Sequence, residues 1–297
     1  MTCSPPANPR PTRWLAVALL AVGLSACGGD DAPPAVAGDA VAKSPLNIPA
    51  VAGTAGVVEK LTYRMTGIDG AVRTENAVVI IPAGDPPDGG WPVIAWGHGT
   101  VGIADTCAPS ASENLGGYAS YLNDVYLSNN FAIVAADYEG LGTPGLHPYL
   151  NLESGGRSML QAVNAAVKTY PSLSKLFANV GHSRGGQAAL GAAQYASVTP
   201  DITLVGTVAI APASNVKTQS DFALNNVINN AAAPLTDRIN AGVDRIGFAS
   251  LIMAGVKAQN PSWDYGAGLG PDGVAAGIEA LAIDGCSTDL FAQLITL

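Results

Sequence analysis

The stretch LFANVGHSRGGQAALGAA, residues 176–193, decides the fold predicted for this chain. A short apolar run leads into GHSRG, residues 181–185, and small or apolar residues at helical spacing follow it. The G-x-S-x-G spacing between a strand and a helix is typical of a sharp turn that presents a serine hydroxyl. Such a turn needs small residues two positions before and after the serine, and Gly181 and Gly185 meet that need. The stretch predicts a nucleophilic Ser183 on an elbow between strand and helix.

The alternative is a glycine-rich turn in which the serine is incidental. The flanking strand and helix and the additional Gly186 favour the nucleophile. The N-terminus of the following helix would direct the Arg184 N–H and a partial positive charge toward an oxyanion.

Further apolar runs on both sides of the elbow predict alternating strands and helices. Short continuous runs such as WPVIAW and FAIVAA are typical of buried parallel strands. The predicted strands are 57–65, 72–81, 91–96, 131–136, 176–180 and 204–210, and the predicted helices are 112–129 and 158–170. Strands 57–65 and 72–81 are expected to be antiparallel. The pattern predicts an α/β fold with a mostly parallel sheet flanked by helices.

The N-terminus has the pattern of an export signal. Arg10 and Arg13 precede the apolar run 15–24, which is too short for a membrane span and indicates a signal peptide over residues 1–26. The sequence LSAC that ends at Cys27 resembles a bacterial lipobox, which implies cleavage before Cys27 and a lipid on its sulfur. The alternative is an ordinary signal peptide with Cys27 as a spare thiol. We expect an exported lipoprotein, anchored in the membrane at the outer membrane or cell surface.

Charge and composition restrict the classes of partner that are expected. The formal net charge is −9, and the predicted cleavage removes two arginines, so nucleic acid is not an expected partner. Apolar residues make up 48% of the chain and charged residues 12%, which is enough apolar sequence for a large core. Residues 27–50 are rich in Gly, Ala, Pro and Asp without a hydrophobic period, and they predict a flexible tether.

Two glycine patterns raise the question of a cofactor. GHGTVG, residues 97–102, and GLGTPG, residues 140–145, both match G-x-G-x-x-G after a strand. Neither opens a helix whose N-terminus would hold a pyrophosphate, so dinucleotide binding is not expected. No pair of His or Cys has the spacing of metal ligands, and a metal hydrolase is not expected either. We therefore expect no cofactor.

The first glycine pattern fits a serine hydrolase better. Such an enzyme needs a second oxyanion N–H from the loop after the third strand, and that loop commonly carries a His-Gly pair. The N–H of Gly99 or of Thr100 would complete an oxyanion hole with the N–H of Arg184. His98 is then interpreted as a side chain that braces the loop.

Three ordered motifs carry a resemblance to a known family. WGHGTVGIADTCAPS, ADYEGLGTPGLHPYL and GHSRGGQAAL together resemble the bacterial branch of the secretory lipase family, over about residues 57–215. The resemblance implies an α/β-hydrolase fold that hydrolyses ester or lipid substrates, and a triad of Ser183 with a later Asp and His. It also implies a core over residues 51–212, a cap or lid over 213–297, and a disulfide between Cys107 and Cys286.

The histidines do not fit that implied triad. The chain has only His98, His147 and His182, whereas the histidine of this fold follows the serine and the acid. Residues 213–297 instead have the apolar spacing of cap helices, with faces that fit either cap core or a lipid-facing lid. Those apolar residues are Phe222, Leu224, Val227, Ile228, Leu235, Ile239, Val243 and Ile246. We expect the chain to stop inside the cap, so that the C-terminal part of the fold and the triad Asp and His are missing.

Other candidates for a base or acid are left unassigned. His182 adjoins Ser183, but neighbours on a tight elbow point apart; His147 could be recruited from the loop after the fourth strand. Asp137 and Glu139 would brace that region, and Asp284 lies beside the proposed cap cysteine. The alternative function is a catalytically inactive, lipid-anchored binding protein on the same scaffold.

Overall fold

The computed structural model describes residues 37–265 and 272–295. The strands are β1 Ala40–Pro45, β2 Ala55–Thr66, β3 Val72–Pro82, β4 Trp91–Gly97, β5 Ala132–Ala136, β6 Leu173–His182 and β7 Thr203–Ile210. The helices are α1 Ala119–Val125, α2 Leu152–Thr169, α3 Arg184–Gln194, α4 Val216–Ala223, α5 Leu235–Gln259, α6 Asp272–Asp284 and α7 Ser287–Leu294. Short 3-10 turns cover Pro49–Val51, Asp105–Cys107, Pro109–Ala111, Leu115–Gly117, Leu127–Asn129 and Ala196–Val198, and a π-helical turn covers Leu224–Ile228. The predicted signal peptide and Cys27 lie outside the described residues.

The described strands form one sheet in the order β1-β2-β3-β5-β4-β6-β7. The pairs β5–β4, β4–β6 and β6–β7 are parallel, whereas the pairs β1–β2, β2–β3 and β3–β5 are antiparallel. The predicted α/β-hydrolase fold is confirmed, but the sheet is mixed rather than mostly parallel. The added antiparallel strand β1 accounts for part of this difference.

Helices cover both faces of the centre of the sheet. Successive residues of β3 show this, because Val79 joins the apolar cluster under α2 and α3, while Val78 joins the cluster under α1. Residues 77–81 of β3 are buried on both faces of the sheet, and this explains the continuous apolar run at these positions.

The tether prediction is wrong for the second half of its range. Residues 40–45 form β1, which pairs antiparallel with β2, and Pro49–Val51 form a 3-10 turn with Val51 buried. All six residues of β1 are exposed, so backbone hydrogen bonds rather than burial hold this strand. A strand without a buried face has no hydrophobic period, so hydrophobic periodicity does not predict it.

Helices α4 to α7 make up the described part of the predicted cap. An apolar cluster that includes Leu251, Ala282 and Leu290 joins α5, α6 and α7, and Tyr149 and Ile103 of the core pack into it. A disulfide between Cys107 and Cys286 connects the loop after β4 to the start of α7. By length and hydropathy α5 matches a membrane span, but its buried residues face the cap cluster, and we assign it to the cap.

The predicted cap faces differ in burial. Val243 is buried, whereas Phe222, Leu235, Ile239 and Ile246 are exposed. In the described part of the chain these exposed residues have no apolar core to cover them, so only part of the predicted periodicity reflects core packing.

Strand β7 forms an uncovered edge of the described sheet. It pairs with β6 alone, and Val205 and Val208 are 63% and 52% exposed. An apolar edge strand of this kind is a site for pairing with other chains.

Candidate active site

The predicted elbow is present between β6 and α3. Ser183 has φ 56° and ψ −120°, a strained conformation for a residue with a side chain. A Cβ at Gly181 would collide with the Gly185 carbonyl oxygen, and a Cβ at Gly185 would collide with that of Gly97. Glycine is therefore required at both flanking positions, for close approach of the backbone to the end of β4.

Backbone hydrogen bonds fix the elbow to the chain that follows β7. The Ser183 N–H donates to the Ile210 carbonyl at 2.9 Å, and the Ser183 carbonyl accepts from the Ala213 N–H at 3.0 Å. The Ser183 Oγ makes no hydrogen bond within the described residues. Its hydroxyl is thus positioned by the backbone and left open to a ligand.

Ser183 opens into a cavity of about 580 Å³ between the core and the cap helices α4 and α5. Most of the wall is apolar, and four cap residues supply polar groups. The lining residues are Thr100, Tyr149, Leu150, Ser183, Ala211, Pro212, Ala213, Val216, Gln219, Ser220, Ala223, Ala241, Asp244, Arg245, Phe248, Ala249 and Ile252. An apolar cavity with a few polar groups next to an open hydroxyl is the usual form of a small-molecule site.

The structure places Thr100 on the wall of the same cavity as Ser183. The Thr100 Oγ1 lies 2.6 Å from the Tyr149 hydroxyl, which holds this part of the loop. Gly99 is not on the cavity wall, and its backbone lies against the Tyr118 hydroxyl. Helix α3 begins at Arg184, so the Arg184 N–H belongs to the first turn, whose amides lack partners within the helix. Of the two predicted loop amides, the geometry favours Thr100.

The Arg184 side chain is buried beneath the elbow. Its guanidinium lies 3.7 Å from the centre of the Tyr138 ring and 5.6 Å from that of Tyr149. It forms no salt bridge among the described residues, and burial lowers its pKa. Aromatic faces rather than a carboxylate therefore stabilise this cation.

Arg184 also affects the hydrogen bonding and the pKa of His147. The Arg184 Nη2 donates to the His147 Nε2, and the His147 Nδ1 then donates to the Glu139 carbonyl at 2.6 Å. Burial, followed by the charge of Arg184, lowers the pKa of His147 well below its usual value. Both ring nitrogens are occupied, so His147 is not available as a base in this arrangement.

His98 and His182 each make a hydrogen bond through the Nδ1 nitrogen. His98 is buried, with its Nδ1 2.7 Å from the Gly99 carbonyl, and burial lowers its pKa to about 3. This is the bracing position expected from the sequence. The half-buried His182 has its Nδ1 2.9 Å from the Tyr118 hydroxyl. None of the three histidines lines the cavity that contains Ser183.

Three fully buried carboxyl groups hold the loop that follows β5. Asp137 accepts from the Ser110 N–H, and burial raises its pKa to about 7. Glu139 pairs with Arg73 at 2.7 Å and accepts from the Ser154 hydroxyl. Glu75, which sequence reasoning missed, accepts from the Thr143 hydroxyl at 2.6 Å, and burial raises its pKa to about 7.

The remaining predicted groups lie apart from the cavity. Asp284 is exposed at the end of α6 and does not line the cavity. No group of three or more His, Cys, Asp or Glu among the described residues is arranged to hold a metal ion. Sequence reasoning also missed Tyr118, Tyr138 and Tyr149, because their role depends on contacts between segments far apart in the chain.

The fold and the elbow define an α/β-hydrolase, and comparisons with known proteins agree with this class. The family model described as secretory lipase matches residues 116–233, which confirms the resemblance carried by the motifs. None of the curated proteins matches.

Two solved structures show the same fold. The rice cell wall degrading esterase LipA from Xanthomonas oryzae is 22% identical with a TM-score of 0.68, over 88% of this chain and 70% of the esterase. Candida antarctica lipase A, in its closed state, is 18% identical with a TM-score of 0.65, over 86% of this chain and 58% of the lipase. At these identities the likeness concerns the fold alone.

Proposed function

We propose that this chain is a carboxylic ester hydrolase of lipase or esterase type, with Ser183 as the nucleophile. The observation that carries the proposal is the strained Ser183 at the end of β6, whose free hydroxyl opens into an apolar cavity. The secretory lipase match supports ester or lipid substrates. The apolar wall suits an acyl chain.

In the proposed reaction the Ser183 Oγ attacks the ester carbonyl, loses its proton to solvent and forms a tetrahedral intermediate. The intermediate collapses to an acyl-enzyme as the alcohol leaves with a proton from solvent, and water then hydrolyses the acyl-enzyme to the free acid and restores the Ser183 hydroxyl. The Arg184 N–H and the Thr100 N–H stabilise the oxyanion, with the Gly99 N–H as the alternative to Thr100. Each such donor contributes about 10² to 10³ in turnover.

The proton of Ser183 has no histidine to receive it. The chain contains three histidines, and none of them lines the cavity. We propose that the triad Asp and His are lacking in this chain, so that it hydrolyses esters weakly. Loss of a triad member costs about 10⁴ to 10⁶ in turnover, and the oxyanion donors leave a residual rate.

The test is hydrolysis of p-nitrophenyl butyrate by the chain without residues 1–27. We expect a slow rate above buffer that Ser183→Ala abolishes. Ser220→Ala is the matched control, since Ser220 lines the same cavity and lies outside the elbow. A rate that Ser183→Ala leaves unchanged would contradict the proposal.

The second candidate is a binding protein that retains the cavity without chemistry. The absence of a histidine from the cavity wall favours it. This function predicts that an apolar ester binds without turnover and that Ser183→Ala leaves the affinity unchanged. Calorimetry measures binding of the ester, and product analysis shows whether the bound ester is hydrolysed. An ester that binds and stays intact distinguishes the binding protein from the hydrolase.

We also propose export and a lipid anchor at Cys27, on the lipobox resemblance of residues 24–27. The full chain should partition into detergent, and Cys27→Ala should move it to the aqueous phase. Aqueous partitioning of the unsubstituted protein would reject the anchor.

A further inference from the structure

The Tyr118 hydroxyl lies between the two segments that supply the proposed oxyanion donors. On one side its oxygen is 2.9 Å from the Nδ1 of His182, the residue before Ser183. On the other side it lies against the backbone of Gly99, where a Cβ would be only 2.5 Å from the oxygen. One hydroxyl thus connects the loop after β4 with the elbow.

The ring of Tyr118 is held independently of its hydroxyl. It packs edge to face on Trp96 at 5.2 Å between ring centres, and Trp96 is fully buried in the sheet. Tyr118 also precedes α1 as its N-cap residue. The aromatic ring therefore has a fixed position from which the hydroxyl reaches both loops.

The protonation of Tyr118 follows from its surroundings. Burial raises the pKa of Tyr118, and the Gly99 N–H beside its oxygen lowers it, so the phenol keeps its proton at neutral pH. The Tyr118 hydroxyl and the His182 Nδ1 share a hydrogen bond of 2.9 Å, and the Gly99 backbone lies on the other side of the hydroxyl. Gly99 therefore lies against Tyr118, whereas Thr100 lines the cavity.

We propose that Tyr118 is a positioning residue for the ester hydrolysis proposed above: its hydroxyl sets the spacing between Gly99 and His182, so that the Thr100 and Arg184 amides converge on one oxyanion. The inference rests on Ser183 being the nucleophile. It also explains the glycine at position 99, because any side chain there would displace the hydroxyl.

The contact itself is tested by thermal unfolding, which needs no activity. Without the hydroxyl, the atoms nearest to a Cβ at position 99 are 3.6 Å away, which is an ordinary contact. Gly99→Ala should therefore lower the melting temperature in the unsubstituted protein and lower it at least twofold less in Tyr118→Phe. Equal losses in the two backgrounds would overturn the inference.

The positioning role is tested by the rate at which a fluorophosphonate labels Ser183. Tyr118→Phe keeps the ring on Trp96 and removes the hydroxyl. We therefore expect the maximal labelling rate to fall at least tenfold, while the reagent concentration that gives half of this rate changes less than twofold. Tyr121→Phe is the matched control, because Tyr121 also packs on Trp96, at 5.6 Å, and does not contact Gly99. It should label at the unsubstituted rate.

The outcomes separate this inference from the proposed function. If the unsubstituted chain is not labelled even slowly, Ser183 does not act as a nucleophile, and both the function and the positioning role fail. If the unsubstituted chain is labelled and Tyr118→Phe behaves like Tyr121→Phe, the function stands and the positioning role is overturned.

Discussion

The guanidinium of Arg184 and the imidazole of His147 are joined by a buried hydrogen bond beneath the elbow. The bond uses the His147 Nε2, and the Nδ1 is used by the Glu139 carbonyl. Arg184, the residue after the proposed nucleophile, thus hydrogen-bonds to His147, the histidine that the sequence suggested as a base from another loop. His147 has a structural role in this arrangement.

We therefore predict that His147→Asn destabilises the fold without changing the chemistry of Ser183. Loss of the acceptor leaves the buried Arg184 without this partner, which costs about 1–3 kcal/mol of the free energy of unfolding. Urea unfolding measures this loss. Ester hydrolysis by the folded fraction should stay within about threefold, and abolished hydrolysis with unchanged stability would identify His147 as the base.

The buried carboxyl of Glu75 predicts a pH-dependent stability difference. Its pKa is raised from 4.5 to about 7 in the folded state. Between these two pH values the folded protein therefore keeps a proton that the unfolded chain has already released. This contribution favours the folded state at low pH and is lost as the pH rises through 7. The stability of Glu75→Gln relative to the unsubstituted protein should therefore increase from pH 5 to pH 8.

The increase in the relative stability of Glu75→Gln is limited by how far the pKa of Glu75 is raised. Each unit of pKa corresponds to about 1.4 kcal/mol, which gives about 3 kcal/mol in all. Glu59→Gln is a suitable control, since Glu59 is on β2 and part-exposed. Urea unfolding at pH 5 and pH 8 measures both variants. A difference between Glu75→Gln and the unsubstituted protein that does not vary with pH would show that the carboxyl is not protonated in the fold.

The disulfide between Cys107 and Cys286 should stabilise the cap on the core. The two residues are 179 positions apart, and closing so long a loop contributes about 4–5 kcal/mol in the chain-entropy account. Cys286→Ser should lower the melting temperature by several degrees, whereas Cys27→Ser should not. Thiol titration of the unfolded, unreduced chain without residues 1–27 provides the check, and two free thiols would refute the pairing.

Much of the fold could be predicted from the sequence, because strands buried on both faces are continuous apolar runs. The predicted strand 91–96 and the observed Trp91–Gly97 differ by one residue for this reason. The elbow could also be predicted, since only glycine fits at positions 181 and 185. In contrast, β1 has no buried face, and its pairing with β2 left no pattern to detect.

The supporting residues of the site could not be predicted in the same way. Tyr118 and His182 are 64 positions apart, and Glu75 meets Thr143 across 68 positions. A single sequence carries no signal of such pairings, because the two partners lie in separate segments of the chain. Only the folded backbone brings them together.

The uncovered strand β7 predicts self-association of the chain. Val205 and Val208 are exposed on this edge, and charged residues on edge strands oppose pairing between chains. Val205→Lys should raise the monomeric fraction measured by light scattering. Val41→Lys is the matched control on the opposite edge strand β1, where Lys43 already provides a charge. An equal effect of the two variants would show that β7 is not the contact.

The role of Ser183 as the nucleophile is tested by finding which residue reacts with a fluorophosphonate. The chain without residues 1–27, Ser183→Ala and Ser220→Ala are each incubated with the reagent, digested and analysed by mass spectrometry. We expect a single adduct on Ser183, present in the unsubstituted chain and in Ser220→Ala and absent from Ser183→Ala. No adduct on the folded unsubstituted chain, or an adduct that persists in Ser183→Ala, would contradict Ser183 as the nucleophile.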